Sequence, residues 1–213
     1  MMTVRKIEAI LFDLDGVLIN SIESWYQAFI RMLRAFGRKE LSRETFEAKC
    51  WGPDLRHNLG ALQLGEDAAE YCVREQLRLI ALIELFPDAE EVVRRTKNDY
   101  KFKVGLVTNT PRENVTKILE HFKLSNHFDV VMTGDDVIKG KPDPEMVIKA
   151  CERLNVKPDR VILVGDTKAD YQAGKAAGCI IIGVGSNSAG DLHIEQLSEL
   201  FTNLDKIIIT PDY

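Results

Sequence analysis

A chain of 213 residues exceeds what one minimal domain needs and falls short of two full-sized ones, so a single large core with a modest insertion is expected. With 45% hydrophobic and 29% charged residues, the composition is that of a soluble globular protein and excludes wholesale disorder. The formal charge of -5 makes an acidic surface that repels nucleic acid and anionic membranes, so neither is expected as a partner. Any phosphate handled here must be drawn in locally, by a cation or by a few well-placed Lys and Arg residues.

Cys50, Cys72, Cys151 and Cys179 are widely spaced without a C-x-x-C pair, which reads as ordinary buried thiols in a reducing compartment. The apolar run after Arg5 and Lys6 contains Glu8 and is cut at Asp13, too short and too charged for a signal peptide, and no stretch approaches a membrane span. A cytoplasmic location is the expectation.

In chain order, Ile7 to Phe12 reads as a buried parallel strand closing on Asp and Gly. From Asn20 to Phe36 the apolar residues take helical spacing, with Asn20 and Glu23 as a capping box and Gly37 as the stop. Helices over Ser42 to Lys49, Pro53 to Leu62 and Glu66 to Leu85 follow, so Leu18 to Phe86 forms an all-helical block without a convincing strand. After Pro87 strands and helices alternate. Strands are expected at 102–107, 128–132, 161–164 and 179–184, and helices at 111–122, 143–154, 167–177 and 191–204. An apolar tail, Ile207-Ile208-Ile209, is expected as a last strand.

Strands separated by single helices imply right-handed βαβ units, hence an α/β fold: a doubly wound parallel sheet with a helical insertion after its first strand. In such sheets ligands bind at the carboxyl ends of the strands. Four of those ends carry polar groups suited to phosphoryl transfer. They are Asp13 and Asp15 after the first strand, Thr108-Asn109 after the second, Lys141 beyond the third, and Asp166 with Asp170 after the fourth. Asp13 is ionised at neutral pH and can attack phosphorus without a partner base, while Asp15 can protonate the leaving oxygen and later activate water. Repulsion between Asp13 and a phosphate, ~4 kcal/mol at about 4 Å in a medium of effective dielectric near 20, calls for a hard dication such as Mg²⁺ held by Asp13 and Asp166. Thr108 offers a hydroxyl and Lys141 a point charge to the phosphoryl oxygens.

These segments, Phe12-Asp13-Leu14-Asp15-Gly16-Val17, Val107-Thr108-Asn109, Lys141-Pro142-Asp143-Pro144 and Val164-Gly165-Asp166-Thr167-Lys168-Ala169-Asp170, resemble the motifs of the haloacid dehalogenase superfamily over nearly the whole chain. The resemblance implies a Rossmann-like core of residues 1–17 and 87–213 with a helical cap at 18–86. It implies Asp13 as nucleophile, Asp15 as general acid and base, and Thr108, Asn109 and Lys141 as the phosphate-binding set. The implied Mg²⁺ ligands are Asp13, the Asp15 backbone carbonyl and Asp166, with Asp170 in direct or supporting contact. Asp15 is missing from the family's dehalogenases and phosphonate hydrolases, so its presence points to phosphate esters. Trp51-Gly52-Pro53-Asp54-Leu55-Arg56 is similar to the cap loop of phosphoglycolate phosphatases and related pyrophosphatases, which makes Arg56 the candidate to meet a substrate carboxylate or second phosphate. Trp25, Tyr26 and Phe29 read as cap core. The expected activity is hydrolysis of small phosphate monoesters, with 2-phosphoglycolate the first to try. A β-phosphoglucomutase-like sugar-phosphate mutase, a pyrophosphatase and a catalytically silent binding module are the alternatives. The sequence leaves monomer and homodimer equally open.

Overall fold

The computed structural model describes residues 6–185 and 188–208, with side chains described as far as Leu204. The first strand, β1 (Ala9–Phe12), is wholly buried. Two short strands, β2 (Ile19–Asn20) and β3 (Glu84–Leu85), bracket an insert of four helices: α1 (Ile22–Ala35), α2 (Arg43–Lys49), α3 (Leu55–Ala61) and α4 (Glu66–Arg78). After α5 (Ala89–Asn98) come β4 (Lys103–Val107), α6 (Arg112–His121), β5 (Val130–Met132), α7 (Glu145–Leu154), β6 (Val161–Gly165), α8 (Lys168–Ala177), β7 (Ile180–Val184), β8 (Leu192–Ile194) and α9 (Leu200–Ile208). The main sheet has the order β5-β4-β1-β6-β7-β8 and every pairing in it is parallel. From β1 the chain winds outward to β4 and β5, then crosses back to β6 and winds the other way. The crevice at that reversal opens at the carboxyl end of β1.

Two-residue alternation sorts the strands between two apolar layers. Ile10, Phe12, Val104, Leu106, Ile162 and Val164 pack with α5, α6 and α9 on one face. Ala9, Leu11, Val107, Met132, Leu163 and Ile181 pack with α7 and α8 on the other. Burial on both faces means that polarity alone does not set the register of β1. Shape does: Leu11 lies opposite Gly105, where an added Cβ would stand 2.4 Å from Leu11 Cδ2 and 2.9 Å from Val130 Cγ1. A strand locked at Leu11 places Asp13 just past the sheet edge, where its N–H donates to Val164 O at 2.9 Å.

The insert has its own core, in which Phe29, Leu33, Phe46, Leu59 and Cys72 are buried together. Its helices start on caps legible in the sequence: Ser42 accepts from the Thr45 N–H, and Asp54 from the His57 N–H at 2.8 Å. The expected absence of strands from Leu18 to Phe86 fails at both ends of that segment. There β2 and β3 pair antiparallel, Ile19 with Leu85, and the Phe86 N–H donates to Leu18 O, fastening the two stems of the insert to each other. Two residues per strand are too few to leave a period in sequence. The helix expected through Leu85 ends at Arg78 for the same reason, giving way to a short 3-10 turn and β3. Asn20 lies in β2, so Ser21 rather than Asn20 heads α1.

Three further expectations are corrected. The pattern gives no helix before the strand near Phe102, yet α5 forms there and buries Ala89, Val92, Val93 and Thr96 at i, i+3, i+4 and i+7 spacing. Residues 191–204 begin not as a helix but as β8, which adds to the sheet edge beside β7. Ile207 and Ile208 belong to α9 instead of a tail strand, and Ile209 lies outside the described residues. Among the described residues no helix is long and apolar enough to cross a membrane.

Candidate active site

Asp13, Asp166 and Asp170 converge at the carboxyl ends of β1 and β6, with one carboxylate oxygen from each lying within 4.8 Å of the others. Gly16 makes this approach possible. Its φ is +82°, in the region glycine favours, and a Cβ there would sit 2.1 Å from Asp166 Oδ2. Into this acidic cluster comes Lys141, 2% exposed, whose Nζ lies 2.8 Å from Asp13 Oδ1 and 2.5 Å from Asp170 Oδ1 and also donates to Val107 O at 2.9 Å. Burial works against the Lys141 charge, but the Asp13 and Asp170 carboxylates more than offset it and hold the ammonium above its usual range.

One ammonium does not balance three carboxylates. Burial, reinforced by repulsion from Asp170, pushes the Asp13 carboxyl well above the usual range against the opposing pull of Lys141. Burial and then Asp170 likewise push Asp166 up to about 7, although the Trp51 hydrogen bond opposes the shift. Asp166 Oδ1 is buried, and among the described residues it has no hydrogen-bond partner. A cluster of hard oxygen donors with a charge deficit and an orphaned buried oxygen fits a divalent cation of the Mg²⁺, Ca²⁺ or Mn²⁺ kind. Asp170 has less to offer it. Its Oδ1 is bonded to Lys141, and its Oδ2 accepts from the Thr167 N–H and hydroxyl in the capping box of α8.

Asp13 Oδ1 takes the Leu14 N–H at 2.8 Å as well as Lys141, and among the described residues Oδ2 has no hydrogen-bond partner. Asp15 points to the other side, into a shell of four donors. Oδ1 accepts from the Ser21 hydroxyl and from Trp25 Nε1 at 3.2 Å, and Oδ2 from Thr110 Oγ1 at 2.6 Å and Thr108 Oγ1 at 3.4 Å. Ser21 therefore makes no side-chain cap for α1, its hydroxyl being turned to Asp15. Asn109 joins strand end to insert: its Nδ2 donates to Gly52 O and Lys141 O, and its Oδ1 accepts the Lys141 N–H at 2.8 Å. With both ends of the amide committed, Asn109 braces the lysine that the sequence places beside it in the phosphate-binding set.

A cavity over these groups is bounded by Asp13, Asp15, Thr108 and Lys141 below and by Trp25, Phe29, Phe46, Trp51, Pro53 and Leu55 of the insert above. Trp25 and Phe29, read from the sequence as cap core, thus also form a cavity wall, whereas Tyr26 packs on Phe46 with Arg43 over its ring. Arg56 is not among the lining residues. It is ion-paired to Glu66 at 3.3 Å and Asp135 at 3.7 Å, on a second cleft whose lining includes His57 and Arg74. Its loop does reach the acidic cluster, through Trp51, whose Nε1 donates to Asp166 Oδ2 at 3.2 Å. Sequence reading singled out Arg56 in this loop, whereas the loop residue that meets the acidic cluster is Trp51, and it gave no site role to Ser21, Thr110 or Trp51. Only the Trp-Gly-Pro turn gave a signal that could have found one of them.

The model for haloacid dehalogenase-like hydrolases matches residues 10–184. The chain is 33% identical over 207 residues to pyrophosphatase PpaX of Bacillus cereus, covering 95% of this chain and 94% of that one. It is 31% identical over 179 residues to a phosphorylated carbohydrates phosphatase of Thermotoga maritima, covering 80% and 82%. The solved structure of CbbY from Rhodobacter sphaeroides in complex with phosphate shares the fold, with a TM-score of 0.83 at 24% identity over 93% of this chain and 99% of that one. The match to the hydrolase model spans both the strand-end carboxylates and the insert above them, and on that ground the chain belongs to the haloacid dehalogenase-like hydrolase family.

Proposed function

We propose that this chain hydrolyses small-molecule phosphate monoesters in a Mg²⁺-dependent reaction that passes through an aspartyl-phosphate on Asp13. The observation that carries the reading is the asymmetry of the Asp13 carboxylate: Oδ1 is fixed by Lys141 and the Leu14 N–H, and Oδ2 is left to attack. Held at one oxygen and buried, the nucleophile is preorganised at the floor of the cavity. Mg²⁺, held by Asp13 and Asp166, would offset the repulsion between carboxylate and phosphate and polarise the phosphoryl group. Lys141 adds a fixed positive charge beside the same oxygens, and Asp170 and Asn109 keep it there.

Asp15 serves the two proton transfers. Reached through the shell of Ser21, Trp25, Thr108 and Thr110, it would protonate the departing alkoxide and then take a proton from the water that cleaves the aspartyl-phosphate. Thr108, on the floor of the cavity beside Asp15, would turn its hydroxyl to a phosphoryl oxygen when substrate enters. The names of the relatives, a pyrophosphatase and a carbohydrate-phosphate phosphatase, support phosphoryl transfer from small molecules without agreeing on one substrate.

The experiment is release of inorganic phosphate from p-nitrophenyl phosphate with and without Mg²⁺, using Asp13→Asn as the blank. Hydroxylamine trapping of an acyl-phosphate in the wild type supplies the second readout. Turnover in Asp13→Asn, or turnover unaffected by a chelator, overturns the reading.

A further inference from the structure

The cavity wall opposite Asp13 belongs to the insert, and it carries no charge. Of the described residues that line the cavity, Lys141 is the one cation, and it lies on the floor between Asp13 and Asp170. The wall is Trp25, Phe29, Phe46, Trp51, Pro53 and Leu55. Its side-chain N–H donors are already in use. The indole N–H of Trp25 goes to Asp15 and that of Trp51 to Asp166, which leaves their rings as the surface they present. Asn58 donates its amide to Cys50 O at 2.8 Å, and burial pushes the Cys50 thiol up, keeping it neutral.

None of the described basic residues of the insert lines this cavity: Arg74 lies on the second cleft, and five other arginines are tied down elsewhere. Arg31 and Arg78 pair with Glu75, Arg34 with Glu40, Arg43 with Glu23 and Glu47, and Arg56 with Glu66 and Asp135. A second anionic group on the substrate would meet apolar rings where it needs a cation. Desolvating a carboxylate or phosphate without a partner is unfavourable, whereas burying a hydrocarbon group there is favourable.

Taking the phosphomonoesterase reading of Asp13 as its premise, we infer that the leaving group is an uncharged, predominantly apolar alcohol, and that Trp25, Phe29, Phe46, Trp51 and Leu55 select it. Phosphorus exchanges its ester oxygen for Asp13 Oδ2, the alkoxide leaves with a proton from Asp15, and water returns the carboxylate and yields inorganic phosphate. Nothing in this balance needs a second charge on the substrate. 2-Phosphoglycolate and pyrophosphate are therefore poor substrates, although relatives of this chain include a pyrophosphatase.

The test compares kcat/KM for two alkyl esters with apolar leaving groups, 2-phenylethyl phosphate and 3-methylbutyl phosphate, against 2-phosphoglycolate and pyrophosphate. Alkyl esters keep leaving-group reactivity nearly constant against phosphoglycolate, and p-nitrophenyl phosphate serves as the control for turnover. The apolar esters should be favoured by about a hundredfold, the range an apolar pocket achieves. Replacing Leu55→Arg puts a cation on the wall and should narrow that ratio by about tenfold. Equal or better turnover of phosphoglycolate or pyrophosphate by the wild type overturns the inference and leaves the phosphatase reading standing. Turnover of p-nitrophenyl phosphate alone does the same. No turnover of any ester removes both.

Discussion

The Trp51 indole N–H lies 3.2 Å from Asp166 Oδ2, joining the insert to the acidic cluster across 115 residues of sequence. Trp51 stands in the loop before α3, and Asp166 directly follows β6 and carries the orphaned oxygen, Oδ1, that suits a divalent cation. The chain has two tryptophans, and the other, Trp25, donates to Asp15. Metal binding at Asp166 should therefore change the environment of one indole directly. Titrating the metal-free protein with Mg²⁺ should alter its intrinsic fluorescence. Trp51→Phe should lose most of that change, and Trp25→Phe should keep it. An undiminished signal in Trp51→Phe would sink the coupling.

Lys141 is buried with two carboxylates on one ammonium. Removing the cation leaves like charges facing one another without compensation, a loss of about 3–5 kcal/mol for a broken buried pair. Lys141→Met keeps much of the aliphatic stem, so the loss should come from charge more than from packing. Urea unfolding at pH 8 should show it in full. It should shrink as the pH is lowered, because burial already favours the protonated form of Asp13. A deficit that does not change with pH would mean the lysine acts through packing instead.

The fold was legible where pattern and chemistry agreed. Ile10-Leu11-Phe12 ends on Asp13, Val161-Ile162-Leu163-Val164 ends on Asp166, and both strands form as read because apolar runs between helices have one economical place to go. The site carboxylates followed from that placement. Illegible were features set by tertiary context: the two-residue ribbon β2–β3, strand β8 at the sheet edge, and the direction of Arg56. Arg56 is adjacent in sequence to Leu55, which lines the cavity, but one step along a helix turns the side chain by about 100°. Glu66 and Asp135 take it on that other side, and Asp135 lies in a separate segment of the core. No local pattern reports such a partner.

Asp166, raised to about 7 by burial and by Asp170, links stability to pH in the metal-free protein. A carboxyl that holds its proton more tightly when folded favours the folded state below its unfolded value of 3.8, and that contribution is lost as pH rises through about 7. Since Asp166 is only partly buried, the effect is about 1–2 kcal/mol, or ~2–8 °C in Tm. Asp166→Asn should melt higher than wild type at pH 8 without metal and nearly level with it at pH 4. Excess Mg²⁺ should reverse the order at pH 8 by binding the wild type alone. A variant that melts lower at pH 8 in chelator would show that the charge is not the source of strain.

Asp15 has a role in each half of the proposed reaction, and the two halves are separable. In Asp15→Asn the Asp13 carboxylate, Lys141 and the metal ligands remain, so attack on phosphorus is still available wherever the leaving group needs no proton. p-Nitrophenolate is such a group; an alkoxide is not. With p-nitrophenyl phosphate the variant should release about one equivalent of p-nitrophenol per enzyme in a burst and then stall, because nothing activates the water that clears Asp13. With an alkyl ester the burst should be absent and turnover should fall by about 10²–10⁴. Stopped-flow absorbance reads the first case and phosphate release the second. Equal losses for both esters without a burst would place Asp15 in binding and remove it from proton transfer.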